Sequence, residues 1–229
     1  MNSIKNVGTK NNTYTQKSIK RVSDSTISRL SKYYRILEYL EKRGIDTISS
    51  ETLAKYNYIT AAQIRKDLSC FGTFGRRGLG YKVKELKMAI ARIMGLNRDW
   101  NVVLVGVGNI GRALLDYDQF SIQGFHIVSA FDNDPQKIGK TFHNITVKDE
   151  QDIEKEIPKM MLDIAVVAVP QSVAQTVVNR LVACGIKAIL NFAPVNITVP
   201  QGVFIRNENM AIEIEALAFS LTNSNRINY

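Results

Sequence analysis

The stretch "NVVLVGVGNIGRALL", residues 101–115, decides how most of this chain is read. An unbroken apolar run, Val102–Val105, leads into Gly106, Gly108 and Gly111, spaced G-x-G-x-x-G, and a helix-forming segment follows. A short β-branched run stopped by glycine reads as a strand buried on both faces, as in parallel sheets. In such a strand–turn–helix the first glycine permits the tight turn, the second lets a pyrophosphate approach the backbone, and the third lets the helix pack on the strand. The candidate contacts are therefore Gly106, Val107, Gly108, Asn109, Ile110 and Gly111. The next apolar strand lies in "IVSAFDNDP" and ends at Asp132, 21 residues beyond Gly111, where a carboxylate accepts from the ribose hydroxyls of an adenosine. Asn133 and Asp134 follow it rather than an arginine, so a 2′-phosphate is repelled and NAD(H) is favoured over NADP(H).

Towards the C-terminus, strands are expected at "DIAVVAVP" and "KAILNFAP", separated by the helix "QSVAQTVVNRLVACG". The alternation gives a doubly wound parallel sheet of Rossmann type, an α/β fold. Val169 and Pro170 sit at the carboxyl edge of that sheet, on the side of a nicotinamide, and Pro194 ends the following strand there. The last segment, "ENMAIEIEALAFSL", leaves little polar circumference on a helix. Such a helix must be enclosed, by its own domain or by a second subunit, and the second is preferred.

Towards the N-terminus the character of the chain changes. Residues 1–98 carry twenty Lys and Arg against seven Asp and Glu, a net +13, whereas residues 99–229 carry ten against fourteen, a net −4. A basic module therefore precedes a mildly acidic one, and a polyanion is the expected partner of the first alone. It reads as three helices and a hairpin. "STISRLSKYYRILEYLEKRG" spaces Ile27, Leu30, Tyr34, Leu37 and Leu40 three to four apart and stops at Gly44; "SSETLAKYN" has Ser49 or Ser50 as N-cap. "TAAQIRKDLSCFG" sets Thr60 and Gln63 at capping-box spacing and runs about 61–71. On it Ile64 and Leu68 face inward, while Arg65, Lys66 and Ser69 face outward, as a major groove requires. "GTFGRRGLGYKV" then reads as a short wing: Phe74 and Tyr81 fix its legs, Arg76 and Arg77 stand at its tip beside Gly78, and an arginine there can enter a narrow minor groove. The amphipathic "VKELKMAIARIMGLN" is a connector.

The remaining composition narrows the class. No apolar run approaches the ~18 residues of a membrane span, and the first 22 residues, rich in Asn, Thr, Ser and Lys, read as a disordered basic tail without a signal-peptide core. Two cysteines, Cys70 and Cys184, are too few for a disulfide framework, and His126 and His143 have no ligand-type neighbours. A cytoplasmic protein without metal is expected. The domains are placed at 1–22 (tail), 23–95 (winged helix-turn-helix), 96–206 (Rossmann) and 207–229 (C-terminal helix).

Together, "QIRKDLSCFGTFGRRGLGY", "VGVGNIGRALLDY", "FDNDPQKIGK", "AVPQSVAQ", "GIKAILNFAP" and the apolar terminal helix resemble the Rex family of bacterial redox-sensing transcriptional repressors, from about Ile27 to Leu221. The resemblance implies a homodimer that exchanges its C-terminal helices, a palindromic A·T-rich operator in double-stranded DNA, and release from DNA when NADH replaces NAD+. It also implies a switch linking an arginine of the first helix, a tyrosine after the Gly-rich turn and an aspartate before the terminal helix, which match Arg35, Tyr117 and Asn209 here; Tyr117 is also a candidate cofactor contact. Asn209 departs from the pattern, being neutral where an acid is usual, so either the switch is altered or a neighbouring acid such as Glu208 supplies the charge. Arg76 stands where a small or polar residue is common, and Cys70 where a tyrosine is. Two other classes compete: a small NAD-dependent oxidoreductase, against which stands the absence of any Tyr-x-x-x-Lys pair, and a CoA-binding module, against which Asp132 speaks.

Overall fold

The computed structural model describes residues 22–76 and 78–223. The expected tail, Arg77, which the sequence reading puts at the wing tip, and the end of the C-terminal segment lie outside them. The chain divides into two units, Met1–Asn97 and Arg98–Tyr229.

In the first unit, α1 (Asp24–Lys42) starts at Ser23, whose side chain accepts from the Thr26 N–H. After β1 (Thr47–Ile48), Ser49 caps α2 (Ser50–Asn57) in the same way, and Thr60 caps α3 (Ala61–Ser69) by accepting from Gln63 N–H. Helix α3 ends two residues before the sequence suggests, and only half of the expected capping box forms. The Gln63 side chain donates to Asp67 at 2.7 Å instead. β2 (Tyr81–Lys82) pairs antiparallel with β1 and runs into α4 (Val83–Met94), which ends at Gly95 with positive φ.

One apolar cluster holds these elements together, built on Leu30, Tyr33, Leu37, Leu53, Ile64 and Leu68. Two sequence expectations need correction. Ile27 is exposed, and Tyr33 rather than Tyr34 is fully buried, because the buried stripe of α1 runs through Thr26, Leu30, Tyr33, Leu37 and Leu40. The supposed connector α4 places Val83, Leu86 and Ile90 in this core, packs along α1 and is part of the domain.

The second unit opens with β3 (Trp100–Val105), α5 (Asn109–Leu115) and α6 (Gln119–Ile122), then β4 (Phe125–Asp132), β5 (Thr141–Phe142), β6 (Ile145–Asp149) and the short α7 (Ile153–Glu156). β7 (Ile164–Val167), α8 (Gln171–Ala183), β8 (Ala188–Asn191), β9 (Phe204–Asn207) and α9 (Met210–Asn223) complete it. The sheet order is β5-β6-β4-β3-β7-β8-β9, parallel throughout except for edge strand β5. The chain winds outward from β3 to one side and then returns to wind outward on the other, so the order reverses beside β3. Ligands of doubly wound sheets bind at that reversal, outside the carboxyl ends of the strands. The sequence disclosed β3, β4, β7 and β8 but not β5, β6 or β9, which are two to five residues long.

Every residue of α9 from Met210 to Thr222 is exposed. Met210, Ile212, Ile214, Leu217, Phe219 and Leu221 lie between 57% and 79% open to solvent. The single chain leaves uncovered an apolar helix that physical chemistry requires to be covered.

Candidate cofactor and DNA sites

Gly106, which follows β3, has φ of 95°, and its N–H donates to Phe131 O at 2.8 Å, while Ala168 N–H donates to Val105 O at 2.8 Å. The ends of β4, β3 and β7 thus lie side by side, and the Gly-rich turn sits on them. A Cβ at Gly106 would overlap the Ala168 carbonyl beyond β7, so the turn can lie against that strand end only with glycine there; a Cβ at Gly111 would overlap the Gly106 carbonyl, so α5 can approach β3 only with glycine at 111. At Gly108 nothing lies within 4 Å of a Cβ. The backbone there presents a bare surface, as a pyrophosphate requires.

The other candidates fall around this turn with unequal access. Asn109 and Ile110 are exposed on the first turn of α5, and Val169 and Pro170 lead into α8. Val107 is different: its side chain is fully buried in the core, and only its N–H points towards the site. That N–H donates to Asp132 Oδ2 at 2.6 Å.

Asp132 is only 5% exposed, and it also accepts from Asp134 N–H at 2.9 Å and from Lys137 Nζ at 3.2 and 3.3 Å. Burial alone would raise its carboxyl; the backbone donors and Lys137 outweigh that and hold it below its ordinary value. The residue therefore braces the Gly-rich turn, and Lys137 stands beside it as a cation that the sequence did not disclose. Asn133 and Asp134 directly follow Asp132, whereas its basic neighbour lies five residues ahead.

Tyr117, after α5, is half exposed and lies edge-on to Phe120 at 5.0 Å between ring centres. Asn209 Oδ1 accepts from Ala211 N–H at 3.0 Å, so it caps α9. Arg35 is exposed on α1, in the other unit.

In the first unit a cleft of ≈ 610 Å³ runs between the N-terminus of α2, α3 and the wing, lined by Ser49, Glu51, Arg65, Ser69, Arg76 and Gly78 among others. The wing legs meet at a bridge between Arg76 and Gly80, with a turn closed by Leu79 N–H to Arg76 O at 3.0 Å. Arg76 is thus on a leg, while Tyr81 is 8% exposed and roots the other leg in the core. Lys66 and Ser69 are exposed on α3, the Ser69 hydroxyl donating to Lys66 O at 2.7 Å. Arg65 does not project straight outward. Its guanidinium turns towards α2, donating to Ser50 Oγ at 2.7 Å and to Glu51 at 3.3 Å.

Behind this face lies a network that the sequence did not disclose. Asp67, on the inward side of α3 and 2% exposed, accepts from Arg29 Nε and Nη2 at 2.6 and 2.8 Å, from the Tyr33 hydroxyl at 2.8 Å and from Gln63. Burial would raise the Asp67 carboxyl, but these donors outweigh it and hold it below its ordinary value. Burial, with the hydrogen bond to Asp67, pushes the Tyr33 phenol up. A charge that far from water needs such partners, and they fasten α3 to α1.

Among the described residues no helix is long and apolar enough to cross a membrane, and no group of three or more His, Cys, Asp or Glu side chains is arranged to hold a metal.

A winged, basic DNA-binding domain joined to a dinucleotide-type Rossmann domain defines a ligand-responsive transcription regulator. The domain models agree in part: residues 21–69 match one described as "Putative DNA-binding protein N-terminus", and residues 97–195 match one described as "CoA binding domain". The chain is 45% identical over 201 residues to the redox-sensing transcriptional repressor Rex of Carboxydothermus hydrogenoformans, covering 88% of this chain and 97% of that one. It is 42% identical over 198 residues to the Rex repressor of Streptomyces coelicolor, covering 86% and 77%. A solved structure of RSP, a protein bound there to β-NAD+ and operator DNA, superposes with a TM-score of 0.85 at 36% identity, covering 90% of this chain and 95% of that chain. RSP bound to β-NADH gives 0.82 at 35% identity, covering 90% and 97%. The chain belongs to the Rex family of redox-sensing transcriptional repressors. Its named relatives are repressors and not enzymes, which answers the oxidoreductase alternative.

Proposed function

We propose that this repressor binds NAD(H) across the carboxyl ends of β4, β3 and β7, binds operator DNA through α3 and the wing, and leaves the DNA when NADH replaces NAD+. The observation that carries the cofactor reading is the bare backbone at Gly108, flanked by the overlap-forbidding glycines 106 and 111 with Asp132 at the next strand end. The pyrophosphate lies along Gly106–Gly111, the adenosine ribose near Asp132 and Lys137, and the nicotinamide towards Val169 and Pro170. RSP, bound to β-NAD+ and to β-NADH in separate structures, supports this choice over CoA.

On the DNA side, Lys66 and Ser69 face the major groove, with Arg65 delivered from its place against Ser50 and Glu51. Arg76, Arg77, Gly78 and the leg rooted by Tyr81 form the wing that follows the sugar-phosphate wall into an A·T-rich minor groove. The functional unit is a cytoplasmic homodimer in which α9 is covered by the second subunit, supported by its uncovered apolar surface, and it reads a palindrome. Arg35, Tyr117 and Asn209 form the switch, weakened in charge by Asn209.

Calorimetry with NADH, NADPH and CoA tests the cofactor assignment. NADH should bind tightest; preferential binding of CoA would overturn the assignment. For the dimer, half-sites should lie about one helical turn (~34 Å) apart. Inserting half a turn between them should abolish tight binding, and unchanged affinity would contradict a two-fold reader.

A further inference from the structure

Asn191 ends β8 and is fully buried in a strand otherwise suited to apolar residues. Its side chain faces two segments at once. Oδ1 accepts from Ala193 N–H at 3.0 Å, and Nδ2 donates to Ala193 O and Val195 O, both at 3.1 Å, and to Asn207 Oδ1 at 2.9 Å. Its own carbonyl accepts from Glu208 N–H at 2.8 Å. An apolar residue of the same size would strand these groups, so the site demands an amide with both a donor and an acceptor end.

The two segments differ in what they lead to. Residues 193–195 leave the carboxyl end of β8, on the edge of the sheet where the second half of a dinucleotide lies. Asn207 and Glu208 run directly through Asn209 into α9. Beyond Val195 the loop is held again, because Gln175 of α8 donates to Thr198 O and accepts from Thr198 N–H, both at 2.9 Å. With its far end fixed on α8, a shift of the loop is borne at Asn191.

We infer that Asn191 is a positioning residue that couples the 193–195 loop to the root of α9, so that what the nicotinamide does to the loop is passed to the segment carrying Asn209. The inference rests on the NAD(H) reading above. It adds a specific link, through one buried amide and Asn207, between the cofactor edge and the helix expected to join the subunits.

The test is amide hydrogen exchange on the full chain, with and without NADH. Asn191→Ala risks unfolding the core, so the working variant is Asn207→Ala. It lies at an exposed residue and removes one bond to the amide, with Asn207→Asp, which keeps the acceptor, as the rescue. Without nucleotide, Asn207→Ala should speed exchange at Ala193 and at Glu208 together, by about fivefold for one lost hydrogen bond. With NADH, the parent and Asn207→Asp should gain protection in both segments, and Asn207→Ala in 193–195 alone. Faster exchange at Glu208 without any change at Ala193, or full NADH protection of both segments in Asn207→Ala, would overturn the link. Calorimetry of the parent with NADH is run alongside. A parent that takes up no NADH refutes the cofactor reading, while the nucleotide-free exchange still decides the link between loop and helix.

Discussion

Replacing Asp67 by alanine should release α3 from α1 and abolish DNA binding without touching any residue expected to meet DNA. The carboxylate accepts four hydrogen bonds from three side chains at 2.6 to 2.8 Å while only 2% exposed. Truncation leaves the Arg29 guanidinium, 23% exposed, without its counter-ion and the buried Tyr33 hydroxyl without an acceptor. Breaking a buried pair from one side costs about 3–5 kcal/mol. A unit of this size has a total stability of roughly 4–11 kcal/mol. At about 4–8 °C per kcal/mol, the unfolding midpoint of the DNA-binding domain should fall by at least ~12 °C. Asp67→Asn, which keeps the shape but sets an amide against the guanidinium, should lose less. Acidification should act as the substitution does. The folded carboxyl sits below its unfolded value, so the network stabilises fully above the ordinary carboxylate range of about pH 4 and is lost as pH falls through the depressed value. Circular dichroism melts against pH, with operator binding by fluorescence anisotropy, measure all three effects. An alanine variant that melts within ~2 °C of the parent and binds operator as tightly would show that the Asp67 network does not hold α3 in place.

Other substitutions separate the sites. Gly111→Ala forces a Cβ into the Gly106 carbonyl, so α5 must lift off its strand; a cost of about 1–3 kcal/mol and weakened NADH binding by calorimetry are expected. Lys137→Met removes the cation held against Asp132 and should weaken NADPH more than NADH, and an equal loss for both nucleotides would show that Lys137 does not face the 2′ position. Lys66→Ala and Arg76→Ala should each lower the slope of log affinity against log salt by about one, measured by anisotropy, if each meets one phosphate. Asn209→Asp preserves the cap of α9, since Asn and Asp cap equally well, so the melting midpoint should hold while the gap between DNA affinities in NAD+ and NADH widens.

What could be read from the sequence was local. The G-x-G-x-x-G turn announces itself because a tight turn, a bare backbone and close helix packing each demand glycine at a fixed offset. The caps at Ser49 and Thr60 are visible because donor and acceptor are three residues apart. What stayed hidden is either distant in sequence or dependent on packing. Asp67 looked like one more charge on a basic helix, because its partners Arg29 and Tyr33 are 38 and 34 residues away. Asn191 sat unnoticed in an apolar strand, its purpose set by a loop and a strand that meet only in the folded sheet. The same limit explains Arg65: its exposure was legible, but its turn towards Ser50 required knowing that α2 lies beside it. For α9 the apolar circumference was plain from composition, and the structure shows that helix exposed along its length.

As a redox-sensing repressor, the protein converts the redox state of a nicotinamide into affinity for DNA. Operator binding by the protein, measured at one fixed salt concentration and titrated separately with saturating NAD+ and NADH, decides it. Tight binding in NAD+ and at least ~10-fold weaker binding in NADH are expected, a difference of about 1.4 kcal/mol or more supplied by unequal affinity of the two nucleotides for the bound and released forms. Equal operator affinity in both nucleotides, with both shown to be bound, would contradict it.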